Sequence, residues 1–511
     1  MNRNITVLVY LEYHDENAAR KTLDSVFEQQ IEGDMQIIVC DLASALEEGI
    51  YDYSERDLIY IPVKEQMKLV VSLSVPAILE QLVMTLMSYI DTAMVGGLGY
   101  QATAAIGVVA SSIWFMNAFV NAAAIGFSVQ VAQYLGAGRE SDSRDVLCQA
   151  ILFNVIFGTA FGAVVIGIGQ FLPAILGAEA EIAPYARAYF CTVAFFVPFS
   201  MASAIYSSIF RCSGNVVLPS IMNVGMCVLD VIFNFFLINP VRQIGNRTIW
   251  GAGLGVRGAA IGTGLAQACV GLTLLAFLLI RKGPLKLQGG ETWRFTKVCM
   301  KNTWFLALPA ALERSTLCLA QIVMTGVVTG MGPVAVAANY VAVQTEGICY
   351  LPAYGVAAAA TALVGQSIGA ARKDMAKRFA YGTTLVGFLL VSCTGTLLFC
   401  FAPILTRLLT GEAEVIALST RALRIVAFSE PLFAVSIVVI GALRGAGDGK
   451  GPFLINLCSM WGIRVVTVLL FTRQFGVLGV WATMAVELIC RGIFFLIRLL
   501  RGRWIQVGAL K

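Results

Sequence analysis

The stretch PAILEQLVMTLMSYIDTAMVGGLG (76–99) returns 233 residues later as PAALERSTLCLAQIVMTGVVTGMG (309–332), and this recurrence decides the fold. Pro76 and Glu80 fall on Pro309 and Glu313, and Gly97 and Gly99 on Gly330 and Gly332. The same offset carries Gln133, Gly136 and Arg139 in QYLGAGR onto Gln366, Gly369 and Arg372 in QSIGAAR, and Pro198 onto Pro431. It also carries Arg211, Gly214, Pro219 and Asn223 onto Arg444, Gly447, Pro452 and Asn456. The offset then drops to 221, because twelve more residues stand near 239–255 of the first half before GVRGAA realigns with GVLGVW.

Around these anchors the chain is 58% hydrophobic and only 13% charged, a composition that belongs in lipid. Apolar runs near 67–95, 105–135, 146–172, 186–210, 216–239 and 258–280 are each long enough to cross the hydrocarbon as a helix, and six more follow between 300 and 500. The expected fold is an all-α polytopic membrane protein with twelve transmembrane helices in two six-helix repeats. Each repeat has an even number of spans, so the two share one orientation and are related by an axis along the membrane normal, with a cavity between or within the bundles. The expected segments are a soluble head (1–62), an N-lobe (63–283), a linker (284–297), a C-lobe (298–503) and a tail (504–511).

The head is acidic, with thirteen Asp/Glu against four Lys/Arg in residues 1–62. Alternate loops of the membrane body are rich in Lys and Arg, including Lys286, Arg372, Lys373, Lys377 and Arg378, which places both termini in the cytoplasm of a cell (plasma or inner) membrane protein. No cleavable signal peptide is expected, since the first insertable apolar run starts after residue 65. The thirteen cysteines show no metal or disulfide spacing and read as packing residues. The single histidine, His14, lies in the head, so histidine relays within the membrane are excluded. GAGDGKG (445–451) mimics a phosphate loop, but a glycine follows its lysine and the first repeat has no lysine there. No ATPase, cofactor or nucleic-acid partner is implied, and no enzymatic activity is expected. The expected partners are a small-molecule substrate and the bilayer, with the chain a monomer.

The first-helix pattern, the LGAGR/IGAAR loop and the RxxG(N/D)xxxP segment, over roughly residues 65–500, resemble the multidrug and toxic compound extrusion family, nearest to its bacterial DinF-like type. The resemblance implies alternating access by two lobes, with H⁺ or Na⁺ entry driving export of cationic, amphipathic compounds. It also implies that Asp91, in YIDTAMVG, is the ion-responsive first-helix aspartate. That pattern usually has asparagine, then aspartate four residues on, where this chain has Asp230 and Asn234; the exchange leaves the ion's identity open. Residues 1–62, with strand-like ITVLVYLEY and MQIIVCD around the amphipathic ENAARKTLDSVFEQQ, resemble the opening of family 2 glycosyltransferases, with Asp41 at the nucleotide position. That segment is too short to be such an enzyme and reads as an accessory βαβ-like unit or a site for an unknown ligand.

The repeat ranks the candidate site residues. Asp91 stands opposite Met324 and breaks the repeat; Asn223, Asp230 and Asn234 form one polar helix stripe, expected to face a cavity and, with Asp91, to hold the coupling ion, either H⁺ or Na⁺. Glu80 and Glu313 occur in both halves and read as architectural, with a wet cavity as the alternative. Glu346, Glu430 and Glu487 align with Ile113, Val197 and Ala266 and are second-lobe candidates; Glu430 precedes Pro431, where a kink is expected, and either lines a cavity or pairs with Arg464. Tyr89, Trp114, Phe115, Met116 and Tyr206 are candidate substrate contacts, whereas Asn117, Asn121, Asn339 and Gln344 read as interhelical hydrogen-bonders. The leading function is ion-coupled export; a lipid-linked-sugar flippase is the alternative, weakened by the mainly acidic intramembrane groups. A membrane-embedded glycosyltransferase and a non-transporting sensor are further readings.

Overall fold

A computed structural model of the protein describes residues 5–11, 35–41, 63–96, 98, 100–179, 181–244, 247–280 and 283–507. The chain divides into two compact units, Met1–Ser72 and Leu73–Lys511. In the first, β1 (Ile5–Leu11) and β2 (Met35–Asp41) pair in parallel, Ile5 opposite Met35 and Leu11 opposite Asp41. The amphipathic stretch expected between these strands lies outside the described residues.

From residue 64 onward the described chain is helical apart from one hairpin. Its spans are α1 (Lys64–Gly96), α2 (Gln101–Gly136), α3 (Glu140–Gly169), the bent pair α4 (Ala183–Phe195) and α5 (Val197–Cys212), α6 (Val217–Ile238) and α7 (Val256–Ile280). The second lobe repeats them as α8 (Lys297–Thr329), α9 (Pro333–Gly369), α10 (Lys373–Leu409), the bent pair α11 (Ala413–Ala427) and α12 (Glu430–Gly445), α13 (Lys450–Thr472) and α14 (Gln474–Leu500). Ten helices are long and apolar enough to cross a membrane among the described residues, and counting each bent pair as one further span gives twelve, as expected from the sequence. The bends are 46° and 58° and have the same cause. Pro198 and Pro431 stand in the first turn of α5 and α12, where a missing N–H and a fixed φ break the preceding ladder.

The twelve extra residues of the first half form an antiparallel hairpin, β3 (Pro240–Ile244) and β4 (Arg247–Ala252), between α6 and α7. Two spans carry π-helical segments, Asn154–Gly158 within α3 and Cys458–Val465 within α13. Large apolar residues are exposed along nearly every span, Leu86, Val164, Leu272, Leu389 and Leu470 among them, as a lipid-facing surface requires. The N-lobe core gathers Phe127, Leu147, Phe190, Ile205, Tyr206 and Leu274.

The lobes meet where α2 crosses α9. The Gln133 amide donates to the Gly445 carbonyl at 3.0 Å, and the Gln366 amide donates to the Cys212 carbonyl at 2.8 Å, a pair of bonds related by the repeat. At this crossing a Cβ on Gly136 would overlap the Gln366 backbone, and one on Gly369 the Gln133 backbone. These two glycines are therefore what lets the helices approach so closely.

The inter-lobe linker folds back on α3. Thr292 and Thr296 donate backbone N–H groups to Asp145 and Gln149, both at 2.8 Å, and Arg144 donates to the Pro284 carbonyl at 3.1 Å. Within it, the backbone N–H of Gln288 donates to Glu291, that of Gly289 adds a second bond, and Arg144 lies 3.8 Å away. Led by the Gln288 bond, these hold the Glu291 carboxyl below the usual carboxylate range. A carboxyl depressed in the folded state stabilises the fold above its ordinary range, and this contribution disappears as the pH falls through the depressed value. Hydrogen-exchange protection of the Gln288 and Gly289 amides should thus drop once acidification protonates Glu291, and Glu291→Gln should abolish that pH dependence. The tail departs from expectation: Trp504 is fully buried, its indole donating to the Leu499 carbonyl at 2.9 Å, so the C-lobe extends into a 3₁₀ turn at Arg503–Val507.

Candidate ion site in the N-lobe and its surroundings

Asp230 and Asn234 lie one turn apart on α6, and both are almost fully buried. The Asn234 amide nitrogen donates to Asp91 Oδ1 on α1 at 3.0 Å and to Asp230 Oδ2 at 3.3 Å, so one side chain bridges the two carboxylates. Gly262 on α7 permits this, because a Cβ there would overlap the Asn234 side-chain oxygen. Asp230 Oδ1 and Asn234 Oδ1 are buried without a hydrogen-bond donor. Thr263 on α7 and Tyr189 on α4 complete the surroundings. Acceptor oxygens thus converge with too few donors among them, the arrangement that a proton or a hard monovalent cation satisfies. Neither Thr263 nor Tyr189 stood out in the sequence, because each is one of several polar residues on its helix with no spacing that singles it out.

Asn223 does not join this cluster, which corrects the expectation of a single ion-binding stripe. Its amide donates to Glu80 Oε1 at 2.8 Å, and Ser220 donates to Glu80 Oε2 at 2.8 Å; Arg211 pairs with the same carboxylate. Seven residues separate Asn223 from Asp230, so the stripe splits along the helix between two carboxylates of α1. The C-lobe repeats the Glu80 arrangement: Arg444 donates to both oxygens of Glu313 at 3.0 Å, and Asn456 donates at 2.9 Å. Glu80 thereby ties α1 to α5 and α6, and Glu313 ties α8 to α12 and α13. Removing one partner of a buried pair strands the other charge, at a cost on the order of 3 kcal/mol. Glu80→Gln and Glu313→Gln should each lower the melting temperature of the detergent-solubilised protein, by similar amounts, in a scanning fluorimetry measurement.

The second-lobe acids also gather. Glu346 on α9 and Glu430 at the α11–α12 bend lie against each other, with Glu346 Oε1 and both oxygens of Glu430 lacking a donor. Glu487 on α14 is engaged by Arg491 at 3.1 Å and by Ser459. Glu430 therefore lies on Glu346, and Arg464, offered as its partner from the sequence, rests instead on methionine sulfur, its Nη2 3.0 Å from Met484 Sδ. Arg491 was not anticipated; only its place one turn after Glu487 could have signalled it.

Two candidate substrate contacts fail on burial. Met116 and Tyr206 are packed in the N-lobe core, 4% and 1% exposed, on the faces of α2 and α5 turned inward. Trp114 and Phe115 are exposed, and Tyr89 is half-buried, its hydroxyl donating to the Gln344 carbonyl across the lobes at 3.2 Å. Of the polar residues read as interhelical, Asn339 accepts from Trp481 at 3.1 Å, whereas Asn121 bonds within its own helix to the Asn117 carbonyl. Asp448, in the phosphate-loop-like stretch, pairs with Arg498 and accepts from the Gly451 N–H.

Two pseudo-equivalent six-span lobes, each enclosing buried ionisable groups, define a polytopic membrane protein built by internal duplication. A family model described as MatE matches residues 76–236 and again 309–470, one copy on each lobe, and the chain belongs to this family. Among curated relatives, a probable multidrug resistance protein NorM of Thermotoga maritima is 24% identical over 453 residues, covering 87% of this chain and 95% of that protein. An uncharacterized transporter YisQ of Bacillus subtilis is 25% identical over 445 residues, 86% and 95% of the two chains. Among solved structures, a MATE in complex with MaL6 superposes with a TM-score of 0.80 at 20% identity, over 87% of this chain and 98% of that one.

Proposed function

We propose that this protein is a secondary antiporter that exports small organic, cationic amphipathic compounds in exchange for H⁺ or Na⁺, with Asp91, Asp230 and Asn234 as the ion-coupling site. The observation that carries the reading is the buried acceptor cluster bridged by Asn234, since donor-poor carboxylates inside a membrane bundle are stable only when a cation or proton joins them. Asp91 and Asp230 also lie within hydrogen-bonding reach of each other and can share a proton, which favours H⁺. With both termini cytoplasmic, the α2–α9 crossing lies at the cytoplasmic ends of the lobes and closes the path on that side. Exposed Trp114 and Phe115 and half-buried Tyr89 are the aromatic surfaces offered to a cationic cargo.

The test is efflux of a cationic dye from proteoliposomes under an imposed pH gradient or an imposed Na⁺ gradient. Gradient-driven efflux that Asp91→Asn abolishes supports the site and names the ion. Efflux driven by neither gradient turns the reading towards a flippase of lipid-linked saccharides.

A further inference from the structure

The two lobes treat one location in opposite ways. Up to Asn456, α13 follows α6 at the repeat offset of 233, with Asn456 on Asn223. The π-helical segment Cys458–Val465 then accommodates an additional residue, so that everything after it stands one position later on the helix. Burial records the shift. In α6 the buried residues are Asp230 and, four on, Asn234; in α13 they are Arg464 and, four on, Val468, whereas Ile463 and Thr467, the partners at the unshifted offset, are half-buried. Arg464 therefore occupies the place of Asp230.

The neighbours agree. Asp91 on α1 corresponds to Met324 on α8, and Thr263 on α7 to Met484 on α14 at the offset of 221. Met324, Arg464 and Met484 line one small cavity of about 10 Å³, with Asn339 and Trp481. Where the N-lobe gathers two acids and a hydroxyl, the C-lobe gathers two thioethers around a guanidinium.

Arg464 is 7% exposed, and its Nε has no hydrogen-bond partner. The two sulfurs it touches, Met484 at 3.0 Å and Met460 at 4.0 Å, are weak acceptors that cannot balance its charge. The charges facing it are Glu346, Glu487 and Arg491. Arg491 and Ser459 already satisfy Glu487, which leaves Glu346 and the Glu430 carboxyl against it, with Cys349 and Tyr350 beside them. Two carboxyls in contact hold one proton between them and carry one negative charge, and Arg464 supplies one positive charge.

We propose that Arg464 is a tethered cation in the C-lobe counterpart of the Asp91–Asp230 site, which supplies permanently the charge that the N-lobe takes from a moving ion. The C-lobe acids are thus neutralised from within, and one lobe alone exchanges the coupling ion. This rests on the N-lobe being the ion site.

The experiment counts exchangeable cation equivalents on the full-length protein in nanodiscs, as ²²Na⁺ bound or protons taken up and released over the pH range in which transport runs, so that the proton Glu346 and Glu430 hold throughout is not counted. Wild type should bind one equivalent and Asp91→Asn none. Arg464→Met should gain one equivalent, retained in the Asp91→Asn background and lost when Glu346→Gln is added; Arg464→Lys, which keeps the charge, should match wild type. A folded Arg464→Met/Asp91→Asn protein that binds no cation overturns the proposal. So does an equivalent in Asp91→Asn that Glu346→Gln removes, a result independent of whether Arg464→Met folds. An equivalent in Asp91→Asn that Asp230→Asn removes overturns the assignment of Asp91 and leaves the tethered cation standing.

Discussion

Asp230→Asn should cut gradient-driven efflux at least about tenfold, the factor that about 1.4 kcal/mol of lost differential affinity represents. The substituted amide neither titrates nor brings negative charge to a cation, while its shape and its place on α6 stay the same. Asn234 would still donate to Asp91, so the bundle is expected to fold, and size-exclusion profiles should be unchanged. The informative partner is the double substitution Asp230→Asn/Asn234→Asp, which restores the order usual in the DinF-like pattern. Positions 230 and 234 both face Asp91, so the exchanged pair should recover much of the lost efflux. A dead double variant beside a dead single one would mean that the order of the two residues, and not merely a second carboxylate on this face, sets the coupling.

Gly369→Val should trap the lobes apart at the α2–α9 crossing. The valine Cβ would overlap the backbone of Gln133, and overpacking of this kind costs about 1–3 kcal/mol, which shifts a two-state equilibrium by about 5–150-fold. That cost falls only on the arrangement in which the helices touch, so efflux should fall although the ion site is intact. Pulsed EPR distances between labels at Ala137 and Ala370 should lengthen in Gly369→Val, and Gly136→Val should reproduce the effect by the repeat. Unchanged distances with normal efflux would show that the close crossing takes no part in the transport cycle.

Much of this arrangement was legible in the sequence for a definite reason. Prolines that bend a span and glycines that let two helices touch tolerate few substitutes, so the duplication preserved Pro198 with Pro431 and Gly136 with Gly369. That Asp230 and Asn234 share a face followed from their one-turn spacing, whereas their pairing with Asp91 was what the resemblance implied. The faces of α2 and α5 were not legible, because lipid and protein core are equally apolar and periodicity cannot tell them apart; Met116 and Tyr206 were misplaced for that reason. Nor could an ungapped match detect the π-helical segment of α13, which set Arg464 opposite Val231 in sequence and opposite Asp230 in space. The separation of Asn223 from Asp230 depended on Glu80 lying near enough to claim it.

The linker carries a consequence for dissecting the molecule. Residues 284–296 run between the lobes in sequence but are fastened to α3 through Asp145 and Gln149. A chain severed at Gly283 would leave this strap at the front of the C-terminal fragment, still shaped to dock on the N-terminal one. The two pieces, produced separately in one cell, would then carry their own means of finding each other, and complementation between them would report on assembly independently of transport.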